Sequence, residues 1–493
     1  MPGEREDLSV MGALRSPRRL RIEVLGGLVV ALALIPEAIS FSIIAGVDPR
    51  VGLFASFTMA VSIAFLGGRP AMISAATGAV ALVIAPVVRE HGMDYLIATV
   101  LLAGLIQVLL GVLGVARLMR FIPRSVMVGF VNALAILILL AQLPHLTGVS
   151  WVVYAMVAAG IATIVLLPRV TTAVPAPLVG IVVLTVITVA FALDVPTVGD
   201  QGDLPESLPS LFLPHVPLTL ETLQIIGPYA VAMALVGLLE SLMTAKLVDD
   251  VTDTRSSKSR EAWGQGAANI VTGILGGMGG CAMIGQTMIN VKTSGARTRI
   301  STFLAGMFLL VLVVGLGDVV ATIPMAALVA VMVMVSVGTF DWHSIRLATL
   351  RRMPRSETLV MLATVAVTVA THNLAYGVIV GVLVAAVMFV RRAAHLTRVV
   401  DVAHPDEDTR VYAVAGELLW ASSNDLVHRF DYAGDPDNVV IDLSASRIWD
   451  ASTVATLDAI TTRYAAKGKT VTIVGLDEAS AERHGRLAGH LGS

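Results

Sequence analysis

Apolar residues in this chain come in runs too long and too uniform for a soluble core. A helix that crosses about 30 Å of hydrocarbon needs roughly 20 such residues. Windows of that size predict twelve full spans and two short, interrupted ones. The first seven lie near 22–45, 51–67, 71–88 (interrupted), 94–115, 122–143, 151–167 and 176–194. The second seven lie near 226–248, 261–277, 282–292 (short), 300–317, 319–338, 356–371 and 374–391. From about residue 397 the pattern changes to short apolar runs, Val411–Ala415, Val439–Leu443 and Val471–Val474, alternating with amphipathic segments near 423–431, 451–466 and 477–489. That alternation predicts a small α/β domain. The boundaries expected are a cytoplasmic N-terminal segment over 1–21, a transmembrane part over 22–391, a linker over 392–409 marked by Asp401, Asp406, Glu407 and Asp408, and the α/β domain over 410–493.

The placement of basic residues fixes an expected orientation, because cytoplasmic loops collect Lys and Arg. Arg69 follows span two, Arg117, Arg120 and Arg124 surround the link after span four, and Arg169 follows span six. Lys246, Arg255, Lys258 and Arg260 mark the end of span eight, Lys292, Arg297 and Arg299 that of span ten, and Arg346, Arg351, Arg352 and Arg355 that of span twelve. The link after span seven holds Asp194, Asp200, Asp203, Glu206 and Glu221, and no Lys or Arg occurs from 170 to 245. Both termini and the α/β domain are therefore expected in the cytoplasm. Seven spans per half insert with opposite orientation, and the third span of each half is the irregular one. Inverted repeats with paired broken helices are a secondary-transporter architecture, and the breaks mark the substrate site.

Composition narrows the classes further. Of 493 residues, 56% are hydrophobic and 14% charged, with a mean hydropathy of +0.82, which excludes a soluble enzyme for most of the chain. A net charge of −2 leaves no basic footprint for nucleic acid. The single cysteine, Cys281, allows no intrachain disulfide and no cysteine metal cluster. Arg-rich residues lead straight into the first span without a cleavage pattern, so no signal peptide is expected there. The ten histidines are scattered and form no metal-ligand pair inside the membrane, and His372 reads as an interfacial residue.

Four features of the membrane part carry chemistry. Glu37, beside Pro36 in span one, and Glu240, mid-span in span eight, are carboxylates where a charge costs at least roughly 2.5–3.5 kcal/mol. The bland alternative is that each accepts hydrogen bonds from neighbouring Ser or Thr. The other two features are the breaks: Ser74, Thr77 and Gly78 in the first, and Gly276, Gly277, Gly279 and Gly280 before Gln286, Thr287 and Asn290 in the second. A helix restarting after a break offers unpaired N–H groups and roughly half a positive charge, an anion site without Lys or Arg. Close packing through small residues is the competing explanation for either break alone. Two positive helix ends aimed at one anion, with a carboxylate nearby that is tolerable when it binds a proton or sodium, imply that anion and cation travel together. Asp249, Asp250 and Asp253 read as a solvated face, and Cys281 as a small packing residue.

These residues resemble the SulP family of anion transporters, the solute carrier 26 group. The segments "LGGLVVALALIPEAISFSIIAGVDPRVGLFASF", "FIPRSVMVGFVNALAILILLAQL", "ALVGLLESLMTAKLVDD" and "GGCAMIGQTMINVKTSGARTRIS" are similar to its first, fifth, eighth and tenth spans. In the tail, "VYAVAGELLW", "VVIDLSA" and "WDASTVATLDAI" are similar to its STAS domain. The resemblance implies a polytopic α-helical fold of fourteen spans as a 7+7 inverted repeat, with a core domain of spans 1–4 and 8–11 and a gate domain of spans 5–7 and 12–14. It implies an elevator-like motion and a homodimer in the cell membrane. The anion would lie among Ser74, Thr77, Gly78, Ala282, Met283, Ile284, Gly285, Gln286 and Thr287. Glu37, Glu240 and Thr244 would couple the cation, with Glu240 and Thr244 matching positions that help hold sodium in cyanobacterial bicarbonate transporters. Many relatives carry Arg where this chain has Gln286, which tilts the anion toward a monoanion such as bicarbonate, while family labels lean to sulfate. No cofactor is expected beyond a co-transported sodium ion or proton.

In the tail, Ser452 stands two residues after Asp450, where regulatory STAS proteins carry a phosphorylated Ser; the plainer expectation is a helix N-cap. The domain would dock a cytoplasmic regulator or stabilise the dimer. The competing functional classes are a passive anion channel of the same fold, a proton-coupled nucleobase permease, and a sensor whose output is the STAS domain. A channel gains nothing from buried carboxylates, and the STAS tail argues against a nucleobase permease. No nucleophile–base pair lies at a common depth, so an enzyme is not expected.

Overall fold

The computed structural model describes residues 9–114, 122–171, 175–394, 397–406, 408–423 and 426–490. Arg117, Arg120 and Glu407, used in the reading above, lie outside the described residues. The chain divides into two units, 1–382 and 383–493.

In the first unit, helix α1 (Pro17–Ala45) begins on an N-cap, Ser16, with Pro17 at its first turn, and stops at Gly46, whose φ of 80° closes the last turn. Helix α2 (Pro49–Leu66) follows at once. An extended passage then carries the two-residue strand β1 (Ser74–Ala75) into α3 (Gly78–Val112). Gly92, at φ 80° and ψ −169°, interrupts α3, so the third and fourth predicted spans meet at that residue. Helices α4 (Arg124–Gln142), α5 (Trp151–Leu166) and α6 (Ala176–Ala190) complete the first half. The second half runs through α7 (Leu220–Thr252), α8 (Lys258–Ile274), strand β2 (Cys281–Ala282), α9 (Ile284–Met288) with a π-turn over Ile289–Thr293, α10 (Arg299–Gly315), α11 (Met325–Thr339), α12 (Arg355–Thr371) and α13 (Leu374–Ala394).

Helical segments occur at all fourteen predicted positions, though less evenly than expected. Seven of the described helices are long and apolar enough to cross a membrane, while others, such as α6 and α11, have 15 residues. The span predicted over 319–338 starts at Met325 instead, because Pro324 sits before a break after the short helix Gly317–Ala321. Large apolar side chains such as Phe65, Val112 and Phe191 are exposed on the first unit, a surface that suits lipid. Small residues bring helices close: a Cβ on Gly266 would lie 2.5 Å from the carbonyl oxygen of Gly104, so α8 crosses α3 nearly backbone to backbone.

The second unit holds a four-stranded sheet in the order β3–β4–β5–β6. Strands β4 (Thr409–Leu418), β5 (Asn438–Ile448) and β6 (Thr470–Val474) are parallel, and β3 (Arg398–Asp406) pairs antiparallel with β4. Alternate residues Val439, Ile441 and Leu443 of β5 are buried with Val454, Leu457, Ile460 and Tyr464 of α14 (Ala451–Ala465); α15 (Glu478–Leu487) follows β6. The linker expected over 392–409 is therefore corrected: most of it is strand β3. Its Asp residues suggested solvated chain, but the β-branched Val399 and Val400 before Asp401 and Val402 after it suit a strand.

Candidate functional site

The two breaks meet. Ser74 pairs with Ala282 and Ala75 with Cys281, antiparallel, so the helices that follow leave the pair in opposite directions, one from each end. Met283 N–H donates to Ile73 O at 2.9 Å, extending the pairing to the last residue before α9. Thr77 caps α3, its hydroxyl accepting from Val80 N–H at 3.3 Å, whereas Met283, at the corresponding place before α9, makes no side-chain cap. Both starts therefore keep first-turn N–H groups outside the helical ladder.

Side chains from neighbouring helices hold this backbone. Asn269 of α8 accepts from Gly280 N–H at 2.8 Å, donates to Gly280 O at 3.0 Å, and donates to Gln107 at 2.9 Å. Ser56 of α2 accepts from Ala76 N–H at 3.2 Å, and Ser241 of α7 from Ala282 N–H at 3.1 Å. Asn290 donates to Ala71 O at 2.8 Å. A buried carboxylate, Glu261, accepts from the N–H groups of Gly68 and Arg69 at 2.7 and 3.0 Å and from Gln265, which in turn donates to Ser74 Oγ at 2.6 Å. Glu23 likewise accepts from the N–H groups of Arg297, Thr298 and Ser301 at the start of α10.

Among the predicted anion residues, the side chains of Ser74 and Thr287 are bonded into this frame; Thr287 Oγ1 accepts from Ile73 N–H at 3.0 Å. Ala282, Met283 and Gln286 are buried, Ile284 is half-buried and Gly285 is exposed, with open space where a Cβ would project. Gly78 lies against the ring of Phe41 and the side chain of Ile138.

Glu37 and Glu240 occupy matching places, each twenty residues after the first residue of its helix. Glu37 is half-buried and within hydrogen-bond reach of Gln286. Glu240 is 7% exposed and accepts from Cys281 Sγ at 3.0 Å. The same sulfur lies 3.1 Å from Thr77 Oγ1, so Cys281 is not the inert packing residue expected but a link from a carboxylate to the first break. Thr244, one turn beyond Glu240, donates its hydroxyl to the Glu240 backbone carbonyl at 2.8 Å and keeps its lone pairs. The Glu240 carboxylate and the Thr244 hydroxyl thus stand one turn apart along one helix.

Asp249 is also corrected. It pairs with Arg69 at 3.0 Å and Lys258 at 2.8 Å, tying the loop before β1 to the ends of α7 and α8. Sequence reading missed Asn269, Gln265, Gln107 and Glu261 as well. Glu261, Gln265, Asn269 and Thr272 recur every three or four residues along one face of an otherwise apolar span, which was the available signal. A cavity of about 1280 Å³ opens one turn beyond Gly78, at Leu82 and Val83, and reaches Ile44, Leu235, His145 and Tyr376.

In the second unit, Asp450 caps α14, accepting from Thr453 N–H at 3.0 Å, and Ser452 is exposed in the first turn. Asp435 receives the hydroxyls of Tyr412 at 2.9 Å and Tyr464 at 2.5 Å. Burial, reinforced by that carboxylate, pushes both phenols above the ordinary tyrosine range, which keeps them as donors.

Residues 20–165 and 151–364 match the sulfate permease family, and residues 400–489 match the STAS domain. The chain is 55% identical over 461 residues to YbaR of Bacillus subtilis (strain 168), a protein named for sulfate transport, covering 94% of this chain and 95% of that one. It is 25% identical to the bicarbonate transporter BicA of Picosynechococcus, over 86% of this chain and 83% of that one. Among solved structures, the transmembrane domain of a cyanobacterial BicA superposes with a TM-score of 0.65 at 26% identity, covering 73% of this chain and 98% of that chain. Murine solute carrier 26 family member A9, in an inward-facing state, superposes with a TM-score of 0.81 at 15% identity, over 95% of this chain and 87% of that one, a likeness of fold.

Proposed function

Because this chain belongs to the sulfate permease family and is a polytopic membrane protein, we propose that it is a secondary active transporter carrying a small inorganic anion, sulfate or bicarbonate, in symport with sodium or a proton. The observation that carries this reading is the antiparallel pairing of Ser74–Ala75 with Cys281–Ala282, beside which α3 and α9 both begin. An anion between Thr77, Gly78 and the backbone of Ile284 and Gly285 would receive N–H groups from two helix starts, where the dipoles favour negative charge. Glu240 with Thr244 would take the cation, and Glu37 would stand near the anion through Gln286. Binding the cation removes the penalty of an unpaired buried carboxylate, which links its occupancy to that of the anion.

The reading includes fourteen crossings as a 7+7 inverted repeat, both termini in the cytoplasm of a plasma-membrane protein, an elevator-like movement, a homodimer, and a STAS domain that meets a cytoplasmic regulator through the face bearing Ser452. Family names for sulfate and bicarbonate transport support the substrate class. No enzymatic step belongs to it.

The test is uptake of labelled sulfate and of labelled bicarbonate into proteoliposomes, each with an inward sodium gradient, an inward proton gradient, or neither. Sodium-driven bicarbonate uptake assigns the cation to Glu240 and Thr244. Proton-driven sulfate uptake moves coupling toward Glu37. Uptake that follows the anion gradient alone refutes symport and leaves a passive channel.

A further inference from the structure

Resting on that symport reading, we infer that Cys281 reports cation binding at Glu240 to the anion site, through a hydrogen-bond chain Glu240–Cys281–Thr77 whose direction reverses when the carboxylate is occupied. Cys281 Sγ lies 3.0 Å from Glu240 Oε2 and 3.1 Å from Thr77 Oγ1, and all three side chains are at least nine-tenths buried. A thiol has one hydrogen. An ionised carboxylate only accepts, so that hydrogen belongs to Glu240, and Thr77 must be the donor to sulfur. One lone pair of Thr77 Oγ1 is taken by Val80 N–H. With Glu240 ionised, the Thr77 hydroxyl hydrogen is thus turned toward the sulfur and away from the start of α3.

A cation on Glu240 changes each step in turn. Sodium bound at Oε2 would compete with the thiol for that oxygen, and a proton on Oε2 would make the carboxyl a donor toward sulfur. In both cases the thiol hydrogen is released and turns to Thr77 Oγ1. The Thr77 hydroxyl hydrogen is then free to point at an anion seated at Gly78 N–H. No covalent bond forms or breaks; three groups reorient. The β1–β2 pairing holds the spacing, because Cys281 sits directly opposite Ala75, two residues before Thr77. Sulfur suits the middle position, being a weak donor and a weak acceptor, so neither direction is locked. Cys281 is on this account a positioning residue.

The consequence is a cation-dependent gain of one hydrogen bond to a charged ligand, roughly tenfold in anion affinity. By linkage the anion raises cation affinity by the same factor.

The experiment uses the full chain in proteoliposomes, with anion KM measured at zero and saturating cation. Wild type is expected to show a KM lowered roughly tenfold by the cation, Cys281→Ala a change below about twofold, and Cys281→Ser, whose hydroxyl can both donate and accept, most of the wild-type effect. An undiminished cation effect in Cys281→Ala overturns the relay while leaving symport standing. No cation effect in wild type overturns symport itself, and the relay with it. A second readout does not depend on the variant folding. Cys281 is the single cysteine of the chain, so its S–H stretch is the one such infrared band. That band should shift when cation is added to wild type and stay fixed in Glu240→Gln. A fixed band in wild type under conditions of cation-driven uptake refutes the inference.

Discussion

The two breaks occupy equivalent places in the two halves of the chain, yet they are built differently. The first passes through Ser74–Ala75 into a capped helix that runs on to Gly92, and it is held at several points, by Asn290 at Ala71, Thr287 at Ile73, Gln265 at Ser74 and Ser56 at Ala76. The second passes through glycines at positive φ, Gly276 and Gly279, into five residues of α-helix and a π-turn, and Asn269 holds both the N–H and the carbonyl of Gly280. The carboxylates differ in the same sense. Glu37 is half-buried and meets the far break through Gln286, while Glu240 is nearly sealed and meets its own break through Cys281. One half supplies a ready-made helix end. The other supplies a glycine loop clamped at Gly280 by one amide side chain, with Cys281 beside the carboxylate.

The largest test of that asymmetry is steric. A Cβ on Gly280 would lie 2.0 Å from the carbonyl oxygen of Ala75, which is backbone, whereas one on Gly78 would meet side chains at longer range, Phe41 Cε1 at 2.9 Å and Ile138 Cδ1 at 3.2 Å. Gly280→Ala should destabilise the protein by about 3 kcal/mol or more and Gly78→Ala by about 1 kcal/mol, read from thermal unfolding in detergent. Equal losses would mean that the strand pair is not the rigid element.

The carboxylates come next. Glu240→Gln should lower cation-driven uptake by roughly 10- to 100-fold, and Glu37→Gln by only a few-fold, in the proteoliposome assay. The reverse order would move the coupling role to the exposed side of the site. Anchoring gives the smallest difference. Asn269→Ala leaves both Gly280 groups and Gln107 without their partner and should cost about 2 kcal/mol, against about 1 kcal/mol for Ser56→Ala, by the same unfolding measurement.

Much of this was legible in the sequence because lipid enforces a simple rule: apolar runs become helices, and departures from them stand out. Glu37, Glu240, Thr77, Gly78 and the glycines of the second break were visible for that reason. The pairing of β1 with β2 was not, since two residues per strand leave no periodicity to read. Cys281 was misjudged because its role lies in two partners, 41 and 204 residues away in sequence. Asp249 looked solvated beside Asp250 and Asp253 because its partner Arg69 belongs to the other half of the chain. The strand at Arg398–Asp406 was hidden by its charged residues, a composition that edge strands tolerate.

The frame of the site is made of main chain: strand against strand, Met283 N–H on Ile73 O, and amide or hydroxyl side chains clamping peptide groups. Main-chain pairing does not depend on the identity of side chains that neither clamp it nor collide with it. Exchange of a side chain such as Gln286, which is no part of the strand pairing, therefore leaves the register of the pair in place. Relatives named for sulfate transport and for bicarbonate transport match 94% and 86% of this chain, an extent of likeness that a main-chain frame permits.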